Sequence, residues 1–215
     1  PLLVYSGVVT QARGLHTVVD AMPELPGVHL AVVSTTIGHQ ITGVLTEQAA
    51  GLGVADRVHI VPPVPSGDVV AHLSTADIGL IPILRYASHD LALTNKLFEY
   101  IHAGLPVVVS DCPAQADFVR RTDIGGVHRT ADPGDLARTV RGVLRSLEHH
   151  RRRVREPALR ERYSWQTSER ALHGVYTRLL GSRAPAPGPL DAPLGDLRER
   201  GVGPDECPGA GELTL

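Results

Sequence analysis

The sequence contains very little lysine, aromatic residue or cysteine. Lys96 is the single lysine, against twenty arginines in 215 residues. Aromatic residues make up 4% of the chain, which leaves few side chains on which nucleic-acid bases could stack. The net charge is −2, so no overall field attracts the chain to nucleic acid or to an anionic membrane. We therefore expect no nucleic-acid partner.

Other missing patterns narrow the class of protein further. Cys112 and Cys207 form no CxxC pair and no disulfide framework, which is typical of a reducing compartment. No segment approaches the roughly 18 apolar residues of a membrane span, and no charged-then-apolar leader opens the sequence. The eleven histidines show no HxxH or HExxH spacing, so the spacing predicts no metal site. We expect a cytoplasmic location.

Short β-branched segments alternate with helical patterns along most of the chain. The predicted strands are 2–6, 29–35, 58–62, 78–83, 106–111 and 126–129. The predicted helices are 14–22, 40–51, 67–75, 95–103, 113–121, 134–147, 149–162 and 166–180. The strands are nearly continuous apolar runs, as expected where helices cover both faces of a parallel sheet. The pattern predicts a doubly wound α/β domain of the Rossmann-like class.

The domain is predicted to occupy residues 1–180. Asp132 followed by Pro133 predicts a helix N-cap with proline at the first helical position. Residues 181–215 contain six prolines and seven glycines and few large apolar side chains. We expect this tail to be disordered, because it cannot bury enough apolar surface to offset the cost of ordering.

The loop after the first strand is the first candidate ligand site. Ligands of open α/β sheets bind beyond the carboxyl ends of the strands, where helix N-termini present unpaired amides. The loop SGVVTQARG offers Gly7 for close backbone approach and Arg13 as a cation for phosphate. It lacks the GxGxxG pattern of dinucleotide-binding domains. The alternative is an ordinary glycine-containing loop with a solvated arginine.

The second candidate is the segment RYASHDLALTNKLFEY, residues 85–100. Thr94 or Asn95 can cap the helix that begins here, and Lys96 and Glu99 lie within its first turns. An anion at this helix start would meet the helix dipole, free amides and an ammonium together. The alternative is a Lys96–Glu99 ion pair on a solvated face. The core-facing arc of this helix is predicted to hold Leu97, Phe98 and Ile101.

Several motifs in order resemble one enzyme family. The series YSG…ARGL, LGVADRVHIVPPVP, TADIGLIPI, TNKLFEYIHAGLPVVVSD and RYSW resembles the C-terminal, donor-binding domain of glycosyltransferase family 4, over about residues 2–180. These are retaining enzymes of the two-domain, double-Rossmann architecture. The resemblance implies a hexosyltransferase-type enzyme that uses a nucleotide diphosphate sugar as donor substrate, with no separate cofactor and no metal.

The resemblance also implies roles for individual residues. The donor pyrophosphate is expected to contact Gly7, Arg13, Thr94, Asn95 and Lys96. Glu99, the closing acid of the family's E-x7-E motif, is expected to bind the ribose. Segment 59–64, HIVPPV, lies where the base is read, and Trp165 resembles the aromatic residue that opens the last helix.

The chain departs from the family at the donor-sugar position. Leu91 stands where the first acid of the motif would be, and His89 or Asp90 is a candidate for contact with the sugar. Either residue is an equally good candidate for a loop position without a role. The resemblance assigns no catalytic residue within this chain.

The family's acceptor site lies in an N-terminal domain that this sequence does not contain. The chain is therefore expected to be either a fragment or a separately encoded subunit that needs a partner chain, and to be inactive alone. The alternatives are a non-catalytic nucleotide-binding subunit and an isomerase similar to sugar-nucleotide 2-epimerases. The basic run HHRRRVRE, 149–156, is interpreted as a solvated helix face, with weak peripheral contact to an anionic membrane as the alternative.

The predicted domain boundary can be tested by limited proteolysis. We expect the first cuts within 181–215, leaving a stable monomeric core that ends near residue 180, because the strand and helix pattern is complete by then. Mass spectrometry of the fragments identifies the cut sites. Early cuts within 58–111 would contradict the prediction.

Overall fold

A computed structural model describes residues 1–34 and 39–181, with side chains from residue 42 onward in the second range. Within these residues a six-stranded sheet has the order β3-β2-β1-β4-β5-β6, and all its strand pairs are parallel. The strands are β1 Leu2–Gly7, β2 His29–Ser34, β3 Val58–Val61, β4 Ile78–Ile81, β5 Val107–Ser110 and β6 Gly125–His128. The predicted doubly wound α/β fold is confirmed.

Helices connect the strands on both faces of the sheet. They are α1 Leu15–Ala21, α2 His39–Gly51, α3 Val69–Leu73, α4 Ala87–Leu91, α5 Asn95–Ala103, α6 Pro113–Thr122, α7 Pro133–Arg145, α8 Leu147–Val154, α9 Pro157–Arg162 and α10 Trp165–Leu180. Among the described residues, no helix combines the length and apolar character that a membrane span requires.

Internal contacts divide the chain into two units, Pro1–Thr167 and Ser168–Leu215. Helix α10 begins in the first unit and continues into the second. The tail beyond Gly181, for which the sequence predicts disorder, lies outside the described residues, as does Thr35 at the end of the predicted second strand. The boundary at residue 180 stays a prediction.

Alternate residues of the strands face two separate core clusters. Leu3 and Tyr5 of β1 pack with α1, α2 and α7 on one face, whereas Val4 packs with α3, α5 and α6 on the other. Because both faces are covered there, the central strands β1, β4 and β5 are buried along nearly their whole length, whereas the edge strand β3 is partly exposed. Strands β2 and β3 extend the sheet on one side of β1, whereas β4, β5 and β6 extend it on the other. The switch point lies between β1 and β4, and it is at such a point that open α/β sheets bind ligands.

The local helix signals were partly right. Asp132 caps α7 as predicted, since its carboxylate accepts a hydrogen bond from the Asp135 amide at 2.8 Å. The single helix predicted over 149–162 is wrong, because the chain forms α8 and α9 with an extended residue, Glu156, between them. Proline lacks an amide hydrogen and excludes the helical conformation from the residue before it, so Pro157 must begin a new helix.

The buried face of helix α5 differs from the predicted one. Leu97 and Ile101 are fully buried as expected, Phe98 is only partly buried, and Tyr100 is fully buried. The Tyr100 hydroxyl donates to the carbonyls of Val4 and Leu80, both at 3.3 Å. The sheet accommodates the Tyr100 ring only because residue 79 is glycine.

Substitution of Gly79 should therefore destabilise the fold. A Cβ at this position would lie 2.6 Å from the Tyr100 ring, so Gly79→Ala forces the ring or β4 to move. We expect a loss of about 1–3 kcal/mol in the free energy of unfolding, measured by urea denaturation.

The matched control is Gly43→Ala in α2, where a Cβ meets nothing within 4 Å. Alanine should stabilise this helix by up to about 1 kcal/mol. Equal effects of the two substitutions would contradict the packing role of Gly79.

Candidate functional site

The loops after β1 and β4 are joined at the switch point. The Leu84 amide donates to the Ala12 carbonyl at 2.9 Å. Gly14 has φ +70, and a Cβ on it would lie 1.9 Å from the Pro82 carbonyl oxygen. Only glycine permits both this conformation and this approach. The two loops identified from the sequence therefore form one surface.

Lys96 is not on a solvated helix face. It is half-buried, and its Nζ lies 5.0 Å from the ring centroid of Tyr5, a fully buried residue of β1. Gly7 has φ +126, and a Cβ on it would lie 2.8 Å from Nζ. The ammonium therefore packs against the bare backbone at the end of β1, beside an aromatic ring that attracts cations.

Arg13 brings a second positive charge to the same place. It ends a short 3-10 turn in the loop after β1 and is half-buried. Burial lowers the pKa of the Lys96 ammonium below its ordinary value, and Arg13 lowers it further. Burial also raises the pKa of Tyr5 to about 12, an effect that Arg13 partly opposes. The positive charge of Arg13 thus acts in the same direction on both side chains, lowering the pKa of each.

The two cations lack an acidic partner among the described residues. Neither Lys96 nor Arg13 takes part in an ion pair there, although arginines elsewhere do so repeatedly. Glu99 is half-buried, and its charge partly offsets the lowering of the Lys96 pKa. The Lys96–Glu99 ion pair considered from the sequence does not form. The positive charge at this point of the fold is left largely uncompensated.

The start of α5 adds hydrogen-bond donors. Thr94 occupies the N-cap position with an extended backbone, but its side chain makes no capping bond. Its Oγ1 is buried and has no partner, a state that costs free energy unless something binds the hydroxyl. Asn95 is exposed at the first helical position. The first amides of a helix lack partners within the helix, so they are available to a ligand.

The candidates for sugar contact are placed less favourably. His89 Nδ1 bonds to the Leu84 carbonyl at 2.7 Å, and Asp90 pairs with Arg85 at 2.8 Å. Both residues belong to α4, a helix of five residues that the sequence did not indicate. Leu91 is 85% exposed and packs against little. The Asp90 carboxylate is thus already engaged, whereas the second ring nitrogen of His89 is still available.

A buried polar network that no sequence pattern indicates lies at the ends of β4 and β5. Gln115 Nε2 donates to the carbonyls of Ser110 and Ile81 at 2.9 and 3.3 Å, and Ser110 Oγ donates to the Ile83 carbonyl at 2.6 Å. Both polar side chains are fully buried. They fix the end of β4 and therefore the start of the loop that leads to α5. No local sequence pattern indicates this role for a glutamine in a helix, because the groups that it contacts lie on β4 and β5.

The other side of the β1 loop borders a separate cavity of about 380 Å³. Its lining is mostly apolar and consists of Val9, Thr10, Gln11, Leu15, His16, Val44 and Leu45. Neither Arg13 nor Lys96 lines it. Segment 59–64, for which the resemblance implies a role in base reading, begins within β3 and continues beyond its carboxyl end.

Known proteins that are similar to this chain are glycosyltransferases. The family model described as "Glycosyl transferases group 1" matches residues 1–146. The D-inositol 3-phosphate glycosyltransferase of Geodermatophilus obscurus is 29% identical over 183 residues, covering 81% of this chain and 39% of that protein. The glycogen synthase of Mycobacterium tuberculosis is 28% identical over 191 residues, covering 86% of this chain and 44% of that protein.

A solved structure shows the same fold. HepE from Anabaena, in complex with UDP-glucose, superposes with a TM-score of 0.72 at 15% identity, covering 82% of this chain and 48% of that one. This chain thus spans less than half the length of these relatives. Its match to the family model covers more than half of its own 215 residues. The chain belongs to the glycosyl transferases group 1 family.

Proposed function

We propose that this chain is the donor-binding half of a glycosyltransferase that moves a sugar from a nucleoside diphosphate sugar to an acceptor with retention. The observation that carries the proposal is the half-buried Lys96 ammonium, which packs on Tyr5 and on the Gly7 backbone at the sheet's switch point, with the cation Arg13 in the loop after β1. Neither Lys96 nor Arg13 has an acidic partner in the described part of the chain. A pyrophosphate supplies the negative charge that this arrangement lacks.

The groups around the cations suit a pyrophosphate in shape as well as charge. Lys96 provides a compact, mobile point charge, whereas Arg13 presents a planar fork of donors that matches phosphate oxygens. Gly7 leaves room for the Lys96 ammonium beside the backbone, and the first amides of α5 are donors of the kind that bind phosphate at helix N-termini. The Thr94 hydroxyl, buried without a partner, adds a neutral donor.

Glu99 is placed to separate the nucleoside from the phosphates. A carboxylate would repel a phosphate, but it accepts hydrogen bonds from a pair of ribose hydroxyls. Glu99 lies one helical turn beyond Asn95 and is half-buried without an ion pair in the described residues. We assign it to the ribose and the helix start to the pyrophosphate.

Transfer requires an acceptor held against the donor's anomeric carbon. Such positioning supplies roughly 7–11 kcal/mol of a barrier. The chain spans 39% of its D-inositol 3-phosphate glycosyltransferase relative, and the acceptor site is assigned to a second domain or partner subunit. His89 is retained as a candidate for contact with the sugar, because one of its ring nitrogens is still available.

Substitution of Lys96 tests the proposal directly. Hydrogen bonds to charged groups contribute about 1.5–3 kcal/mol, so Lys96→Ala should weaken binding of a nucleoside diphosphate roughly ten- to a hundredfold. Binding of the uncharged nucleoside should be unchanged, because the lost contact is to phosphate. Glu99→Gln should weaken both ligands, since both contain the ribose. Calorimetry with uridine, guanosine and adenosine diphosphates and their nucleosides measures these affinities.

Two controls separate a local effect from a global one. Arg152→Ala removes the same unit of charge from an exposed position on α8 and should leave all affinities unchanged. Lys96→Met keeps the packing of the side chain on Tyr5 and should weaken the diphosphate as Lys96→Ala does. If wild type and Lys96→Ala bind every diphosphate equally, Lys96 has no phosphate role and the proposal is wrong.

A further inference from the structure

A second cluster of polar side chains lies near the amino end of β6. Asp123 follows α6 and precedes β6, so it lies at the amino end of that strand, away from the candidate donor site. His149 and His150 lie in the first turn of α8. His149 Nε2 is 2.6 Å from Asp123 Oδ2, and His150 Nδ1 is 3.8 Å from Asp123 Oδ1. Residues 26 positions apart in the chain are thus brought together.

We propose that Asp123, His149 and His150 form a binding site for a divalent transition-metal ion of the zinc type. One ligand atom from each of the three residues lies within 4.8 Å of the other two. Two imidazole nitrogens and one carboxylate oxygen are the donors that zinc accepts, at about 2.0–2.2 Å each. Around one ion such ligands stand about 3–4 Å apart, which small side-chain rotations reach from the observed distances.

The ring protons do not prevent coordination. His149 donates from Nε2 to the carboxylate, and His150 Nδ1 lies 3.0 Å from the Asp123 carbonyl. Each neutral imidazole can carry its proton on the other ring nitrogen, which leaves the nitrogen facing Asp123 free to bind the metal. A metal ion would replace these hydrogen bonds with bonds to the two ring nitrogens and to the Asp123 carboxylate.

The backbone holds the cluster in place while leaving it accessible. Asp123 has φ +57, the left-handed conformation that ends α6, so the backbone from which its side chain projects is fixed. The side chains of His149 and Asp123 are about half exposed, at 48% and 50%, whereas His150 is 13% exposed. Water can therefore complete the coordination sphere. A bound ion would tie the end of α6 to the start of α8, so its expected role is structural.

Zinc binding by the full-length, untagged chain tests this site. Titration with zinc chloride in a buffer without metal-binding groups should show one ion bound per chain through this cluster. Removing one ligand should weaken binding at least as much as loss of an outer-shell partner does, about 10–100-fold. The variants are His149→Ala, His150→Ala and Asp123→Asn. Asparagine tolerates the left-handed conformation, so Asp123→Asn removes the charge while keeping the turn.

A matched control uses another exposed histidine pair. The rings of His29 and His59 stack, with His29 Nδ1 3.1 Å from His59 Nε2. Among the described residues, this pair belongs to no group of three or more potential metal ligands. The double variant His29→Ala/His59→Ala should bind zinc as wild type does. Zinc should also raise the unfolding temperature of wild type and of this control, because it binds only the folded cluster. Absence of zinc binding, binding unaffected by the three ligand variants, or loss of binding in the control would each overturn the proposal.

Discussion

The partial burial of the Lys96 ammonium at the switch point is the constraint on which the candidate site depends. Lys96 packs against Tyr5 and Gly7, and Arg13 lies in the loop after β1. Desolvation and like charge both disfavour the ammonium, and Glu99 offsets them only in part. The folded chain bears this cost when no ligand is bound. An anion with two adjacent charged groups relieves it, which links the electrostatics of the free domain to the function proposed for it.

The sheet and its polar network make this arrangement rigid before a ligand arrives. Gly14 brings the β1 loop onto the Pro82 carbonyl, and Gln115 fixes the end of β4 through Ser110 and neighbouring carbonyls. Charged and polar groups held in advance lose little entropy on binding and need little reorganisation. Gly14 and Gln115 thus fix the backbone on which the proposed site depends.

Features that depend on neighbouring residues were predictable from the sequence, and features that depend on the fold were not. The strands, the Asp132 cap and the start of α5 follow from local propensity and period. Pro157 is also a local signal for a helix break, although the helical pattern continues on both sides of it. The contact between Lys96 and Tyr5 joins positions 91 residues apart in the numbering, so no spacing rule indicates it. The same holds for the histidine and aspartate cluster, since HxxH patterns detect only ligands close in the chain.

The single lysine makes the central claim directly measurable. Isotope labelling of lysine gives one ε-ammonium environment to follow by NMR, because Lys96 is the only lysine in the sequence. Its pKa in the free chain should lie below the ordinary lysine value, through burial and Arg13. Saturation with a nucleoside diphosphate should raise that pKa, because a bound pyrophosphate favours the charged ammonium. A pKa at the ordinary value that does not change when the diphosphate is added would contradict the account.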